Sequence, residues 1–246
     1  MKFFSAGDIN SSVIAYYFGG HSASVTSSRH PRSGSIRSVL SQMPPNILSV
    51  SLKIGSWSTG SEYGRDPAIA EFFNAFDTQG VPPLLPNPVS VFSNIEKSII
   101  MQAFTEQFPG QAVDPAAVQA LVTRPGRIRI ILVYSGGYKV TEKMDDRNFF
   151  VPDASIVQGI VHLDSLYGNA DRDILRIARD TNIKCAAAHN DSASDPEEFH
   201  RDLNAAGGVS IHTDSSHSSI PGEFAGMLTN RLLMMMMGQT SPPTVA

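Results

Sequence analysis

A serine, an aspartate and a histidine each stand just beyond a largely apolar run in this chain. Ser135 follows Ile128 to Tyr134, Asp164 follows Ile156 to Leu163, and His217 lies in the loop after Val209 to His212. Together these types can carry out acyl transfer. A serine hydroxyl is a poor nucleophile at neutral pH and needs a base within hydrogen-bond reach. Histidine is that base because its ordinary pKa lies near neutrality. A carboxylate then fixes the imidazole tautomer and stabilises the imidazolium. The developing oxyanion needs N–H donors, each worth about 3–4 kcal/mol.

Other residues compete for these roles. Asp191, in His189-Asn190-Asp191, also follows a strand-like run and is the rival acid. Asp164 is preferred because Leu166-Tyr167-Gly168 can shield it, whereas Asp191 sits among Asn190, Ser192, Ser194 and Asp195. Either aspartate could instead be a helix N-cap, where the residue is common after strands. His217, His212 and His189 are the candidate bases. A different chemistry is open to the same residues, since His189-x-Asp191 and His212-x-Asp214-x-x-His217 gather ligands for Zn²⁺ or Mn²⁺. No H-E-x-x-H or H-x-H-x-D-H block supports that reading, and it leaves Ser135-Gly136-Gly137 without a purpose.

The elements that must position these groups follow from hydrophobic pattern. Ser12–Phe18, Ile128–Tyr134, Ile156–Leu163, Ile183–Ala188 and Val209–His212 read as strands, most of them short apolar runs of the kind buried on both faces. Ile47–Ile54 alternates, as a half-buried strand should. Helical spacing is seen over Ile36–Met43, from Asp66-Pro67, and over Ile95–Phe108. It recurs from Asp114-Pro115 to Val122, and over Asp171–Asp180, Asp195–Ala205 and Ile220–Met237. Four prolines between Val81 and Pro88 exclude regular structure there. Strand alternating with helix predicts an α/β fold, a doubly wound and mostly parallel sheet flanked by helices. Residues 1–246 read as a single domain, in which 55–126 is a helical cap or insertion and 238–246 a frayed tail. Ligands of such sheets bind beyond the carboxyl ends of the strands, where Ser135, Asp164 and His217 all fall.

Val133-Tyr134-Ser135-Gly136-Gly137 resembles the G-x-S-x-G nucleophile elbow of the α/β-hydrolases, with Val133 in place of the leading glycine. The chain order Ser, Asp, His is also that family's order. Tyr17-Phe18-Gly19-Gly20-His21 is similar to its aromatic-His-Gly turn, with Gly19 where the histidine usually stands. The family's acid more often follows one strand later, which favours Asp191. The resemblance covers roughly residues 12–235 and implies a serine hydrolase of the esterase or lipase kind. It implies an oxyanion hole built from the backbone N–H of Gly136 and of Gly20 or His21. The family's usual first hairpin is expected to be missing. Trp57, Tyr134 and Tyr167 are the candidates to line an acyl pocket, although such aromatics more often pack under a helix. The departures at Val133 and Gly19 keep a non-catalytic binding module as a further alternative.

Composition narrows the partners. A net charge of −4 with no dense Lys/Arg cluster speaks against a nucleic-acid surface. Charged residues make up 17% and hydrophobic ones 41%, enough for a sizeable core. One cysteine, Cys185, rules out an internal disulfide framework. No stretch has the length of a membrane span and the N-terminus lacks a secretory h-region, so a cytoplasmic protein is expected. A small-molecule acyl substrate is expected as partner, with no cofactor and no metal.

Overall fold

The computed structural model describes residues 3–19, 36–52, 88–138, 157–190 and 193–239. It is an α/β protein built on a seven-stranded sheet. The strands are β1 (Phe3–Ala6), β2 (Val13–Phe18), β3 (Leu48–Leu52), β4 (Ile128–Tyr134), β5 (Gly159–Leu163), β6 (Lys184–His189) and β7 (Val209–His212). The helices are α1 (Ile36–Gln42), α2 (Pro88–Gln107), α3 (Pro115–Val122), α4 (Ala170–Asp180), α5 (Pro196–Ala205) and α6 (Ile220–Met236).

Strand order is β1-β3-β2-β4-β5-β6-β7, parallel throughout except for the antiparallel edge strand β1. The chain winds from β2 to β3 in one direction, then crosses back over β2 to β4 and continues the other way. Crossovers between parallel strands are right-handed, so a reversal of direction must put the helices on the opposite face. The core divides accordingly. Ile36, Val39 and Leu40 of α1 and Ile220, Leu228 and Leu232 of α6 cover one face. Ile99 and Ile100 of α2, Val118 of α3, Ile174 of α4 and Phe199 of α5 cover the other. Within β4 the side chains alternate between the two, Ile130, Leu132 and Tyr134 toward α1 and α6, Ile131 and Val133 toward α2–α5.

Four expectations need correction. A strand, β1, precedes the first one expected, so part of the sheet edge thought to be missing is there; four residues are too few to show a pattern. β3 is not half-exposed: Ser49 and Ser51, the polar half of its alternation, are as buried as Leu48 and Val50 because α1 packs over them. Regular structure begins at Pro88, where proline at a helix start sacrifices no intrahelical bond. His189 ends β6 rather than following it. Of the segment expected as a cap or insertion, α2 and α3 form the crossover layer between β3 and β4, while residues 53–87 lie outside the described residues. At the chain's other end, Met235 and Met236 of α6 pack on the core, and Met237 is exposed.

Candidate active site

The reversal of winding places a crevice between the carboxyl ends of β2 and β4, where ligands of open α/β sheets bind. Ser135 stands there. Tyr134 is extended (φ −128°, ψ 136°), Ser135 turns into the left-handed region at φ 50°, and Ser135–Gly137 forms a single 3₁₀ turn. Among the described residues only Ser135 and Asp164 take a positive φ without being glycine. Such conformations cost about 1–3 kcal/mol and persist where the surroundings over-determine them. Gly137 explains how this turn closes. A Cβ on it would lie 2.6 Å from the Phe18 carbonyl oxygen, so only glycine lets the turn fold over the end of β2. The same Cβ would lie 3.5 Å from Val133 Cβ, an ordinary contact. A branched side chain therefore fits where the elbow pattern has glycine.

Asp164 directly follows β5 and is 3% exposed. Its own N–H donates to the Ala188 carbonyl at 2.7 Å, extending the ladder to β6 while φ 44° turns the chain. One carboxylate oxygen, Oδ2, meets His217 Nδ1 at 2.5 Å; the other, Oδ1, accepts the Asn190 N–H at 3.1 Å. This pairing sets the His217 tautomer: Nδ1 carries the proton toward Asp164, and Nε2 presents a lone pair. The loop holding His217 is laced by hydroxyls, with Ser219 Oγ on the Ser216 carbonyl at 3.0 Å and Ser215 Oγ on Glu223 Oε2 at 2.6 Å.

Aromatic rings enclose the pair. The Tyr134 ring centroid lies 4.8 Å from that of His217, and the Tyr167 ring is 6.2 Å away, nearly edge-on. Tyr167 Oη is 3.4 Å from His217 Nδ1. Burial, then the Asp164 charge and Tyr167, push the Tyr134 phenol up to about 12, and burial followed by Asp164 raises Tyr167. Both rings therefore stay neutral. Of the residues expected to shield Asp164, Leu166 is buried and Tyr167 is 39% exposed.

Tyr134, Asp164, Tyr167 and His217 thus meet directly, and Ser135 with Gly136 occupies the turn next to Tyr134. Gly20, His21, Trp57 and the rival acid Asp191 lie outside the described residues. The remaining histidines go elsewhere. His189 is buried, its Nε2 3.2 Å from Ser210 Oγ and its ring stacked on His212 at 5.3 Å, while Asp214 is exposed. Among the described residues no three His, Cys, Asp or Glu side chains gather to hold a metal ion. Cys185 is no rival nucleophile, because burial pushes its thiol up to about 12.

The sequence reading passes over His162 and Ser165. Ser165 Oγ donates to the Val133 carbonyl at 3.2 Å and accepts from His162 Nδ1 at 2.9 Å, fastening the acid's turn to the strand that carries Ser135. A histidine inside the apolar run Gly159–Leu163 was the available signal, since a buried polar ring needs a partner.

The structure therefore defines an α/β protein with a buried carboxylate paired to a part-exposed imidazole, and a strained serine turn at its switch point. No protein-family model matches the chain, and no curated protein matches it. Among solved structures it is similar to a thioesterase domain from the curacin biosynthetic pathway, over 94% of both chains, with 8% identity and a TM-score of 0.40. At that distance the likeness bears on neither the site nor the function. No described helix is long and apolar enough to cross a membrane.

Proposed function

We propose that the protein is a serine hydrolase that cleaves an ester or related acyl bond, with Ser135 as nucleophile, His217 as base and Asp164 as acid. The carrying observation is the 2.5 Å contact between the buried Asp164 carboxylate and His217 Nδ1. That contact readies Nε2 to take a proton. In the proposed reaction Nε2 removes the Ser135 Oγ–H proton as Oγ bonds to the substrate carbonyl carbon. The tetrahedral oxyanion is met by backbone N–H groups, that of Gly136 and one from Gly20 or His21. Its collapse breaks the bond to the leaving group, which departs with the proton from Nε2. Water then repeats the sequence, giving the free acid and returning the proton to Ser135. Tyr134 and Tyr167 would line the acyl pocket, with Trp57 a further candidate.

A fluorophosphonate probe tests this reading, because it bonds only to an activated serine. Labelling found by mass spectrometry on Ser135, lost in Ser135→Ala and insensitive to EDTA, is the expected result. Labelling at another serine would remove Ser135 from its role. Hydrolysis abolished by EDTA would favour the metal reading, and no reaction at all the non-catalytic module.

A further inference from the structure

Asn190 is the first residue after β6, and it touches the site from two sides. Its backbone N–H donates to Asp164 Oδ1 at 3.1 Å. Its side-chain amide, Nδ2, donates to the Ser215 carbonyl at 3.3 Å, two residues before His217. The amide orientation follows from that partner, since a carbonyl can only accept. One residue therefore grips both the acid and the loop that carries the histidine. A second bond reinforces the grip, for the Thr213 N–H donates to the His189 carbonyl at 3.0 Å.

The need for such a link comes from topology. Asp164 is fixed by the sheet, with its N–H in the ladder to β6. His217 lies on a connection, and its side chain is 43% exposed against 4% for Asp164. A long-range hydrogen bond between a rigid strand end and a loop holds its geometry only if the loop is anchored nearby. Apart from the Asp164–His217 contact itself, the Asn190 amide is, among the described residues, the side-chain bond from the sheet end that falls nearest His217 in this loop.

We infer that Asn190 is a positioning residue that sets the Asp164–His217 geometry, holding the acid through its backbone and the histidine's loop through its side chain. The inference rests on the hydrolase reading for its kinetic consequence but not for its structural one. Asn190→Ala removes the loop bond and leaves the backbone bond to Asp164 in place. Hydrolysis of p-nitrophenyl acetate should then show kcat lowered about tenfold, the scale of one hydrogen bond's net contribution, with KM changed less than about twofold. The far-downfield proton signal of the His217 Nδ1–H should broaden in the NMR spectrum, because a looser loop exchanges that proton with water faster. General loss of folded protein would lower amplitude without that broadening. A variant with kcat within about twofold of the parent and an unchanged N–H signal overturns the inference. If Asn190→Ala does not fold, Asn190→Asp keeps the shape without the donor and carries the same expectation. If the parent itself neither turns over ester nor takes the phosphonate label, the hydrolase reading fails, and the N–H signal alone decides the role of Asn190.

Discussion

Asp164, at 3% exposure, and Glu96, at 0%, are the two most deeply buried carboxylates among the described residues, yet their partners differ in kind. Glu96, on α2, accepts from Tyr16 Oη at 2.7 Å and from Arg129 through both oxygens, Nε at 2.8 Å and Nη2 at 3.0 Å. Arg127 Nε lies 3.4 Å away, and Arg127 also donates to the Leu121 carbonyl. Every partner is a permanent cation or a phenol. Burial, then Glu96, raises Tyr16 well above its ordinary range, while burial lowers the Arg127 guanidinium against the pull of Glu96. The Tyr16 phenol therefore stays neutral near neutral pH. Asp164 is paired instead with a part-exposed imidazole on a loop, its ring packed on Tyr134, the residue before the strained serine turn. A buried carboxylate is thus no signal of function by itself, and the chemistry of its partner has to be read with it.

Substitution at each carboxylate should separate the two roles. Asp164→Asn removes the group that orients the imidazole and should lower turnover on the order of 10⁴, with a thermal midpoint little changed. Steady-state ester hydrolysis and a thermal melt on the same preparation check it. A loss under tenfold would return the acid to Asp191. Glu96→Ala should do the reverse. It leaves the buried Arg127 and the partly buried Arg129 guanidinium groups with no carboxylate between them and should cost about 3–5 kcal/mol of stability in a urea titration. Turnover per folded molecule should hold within a few-fold, and a large fall in it would show that the Glu96 cluster reaches the site.

This contrast also marks what could be read from the sequence. The candidates Ser135 and Asp164 stood out because parallel strands are buried on both faces, so each follows an apolar run directly, and His217 because it lies in the loop after the last such run. Glu96 was not, being one acid in a helix whose arginine partners lie 31 and 33 positions further on, Arg127 just before β4 and Arg129 within it. Ser49 and Ser51 misled because alternation is the signature of a half-exposed strand, and only tertiary packing puts α1 over them. The Ser165–His162 brace joins β5 to β4 through a backbone carbonyl, which leaves no residue type to recognise.

Protonation offers a second way to test the two kinds of burial. Burial lowers the imidazoles of His162 and His189 from 6.5 to about 4. Between those pH values the folded state binds fewer protons than the unfolded chain. The stabilisation is therefore complete above about pH 6.5 and is lost as pH falls toward 4. For fully buried His162 the loss should be on the order of 2–3 kcal/mol. His162→Asn keeps a donor for Ser165 and removes the titration, so its urea stability should fall less steeply between pH 7 and 4.5. An equal slope in both proteins would mean that His162 does not titrate in that range.

The smallest expected effect concerns the bland alternative for Asp164, that an aspartate after a strand is only a helix cap. Asp195 shows what that role looks like here. It is extended (φ −138°, ψ 96°), its Oδ1 accepts the Glu198 N–H at 2.9 Å, and Pro196 follows at the first helical position. The carboxylate satisfies one of the N–H groups that a helix start leaves unpaired, and it lies at the positive end of the helix dipole. Asp164 does none of this: it turns at φ 44° and gives its oxygens to His217 and to the Asn190 N–H rather than to a following helix. Asp195→Ala should cost about 1 kcal/mol of stability and leave turnover unchanged. A urea titration beside an ester assay measures both. The pair Asp195→Ala and Asp164→Asn then forms a two-way test, one change felt in stability alone and the other in catalysis alone. If Asp164→Asn instead behaves like the Asp195 variant, with a small stability loss and full activity, Asp164 is a structural residue and the site must be sought elsewhere.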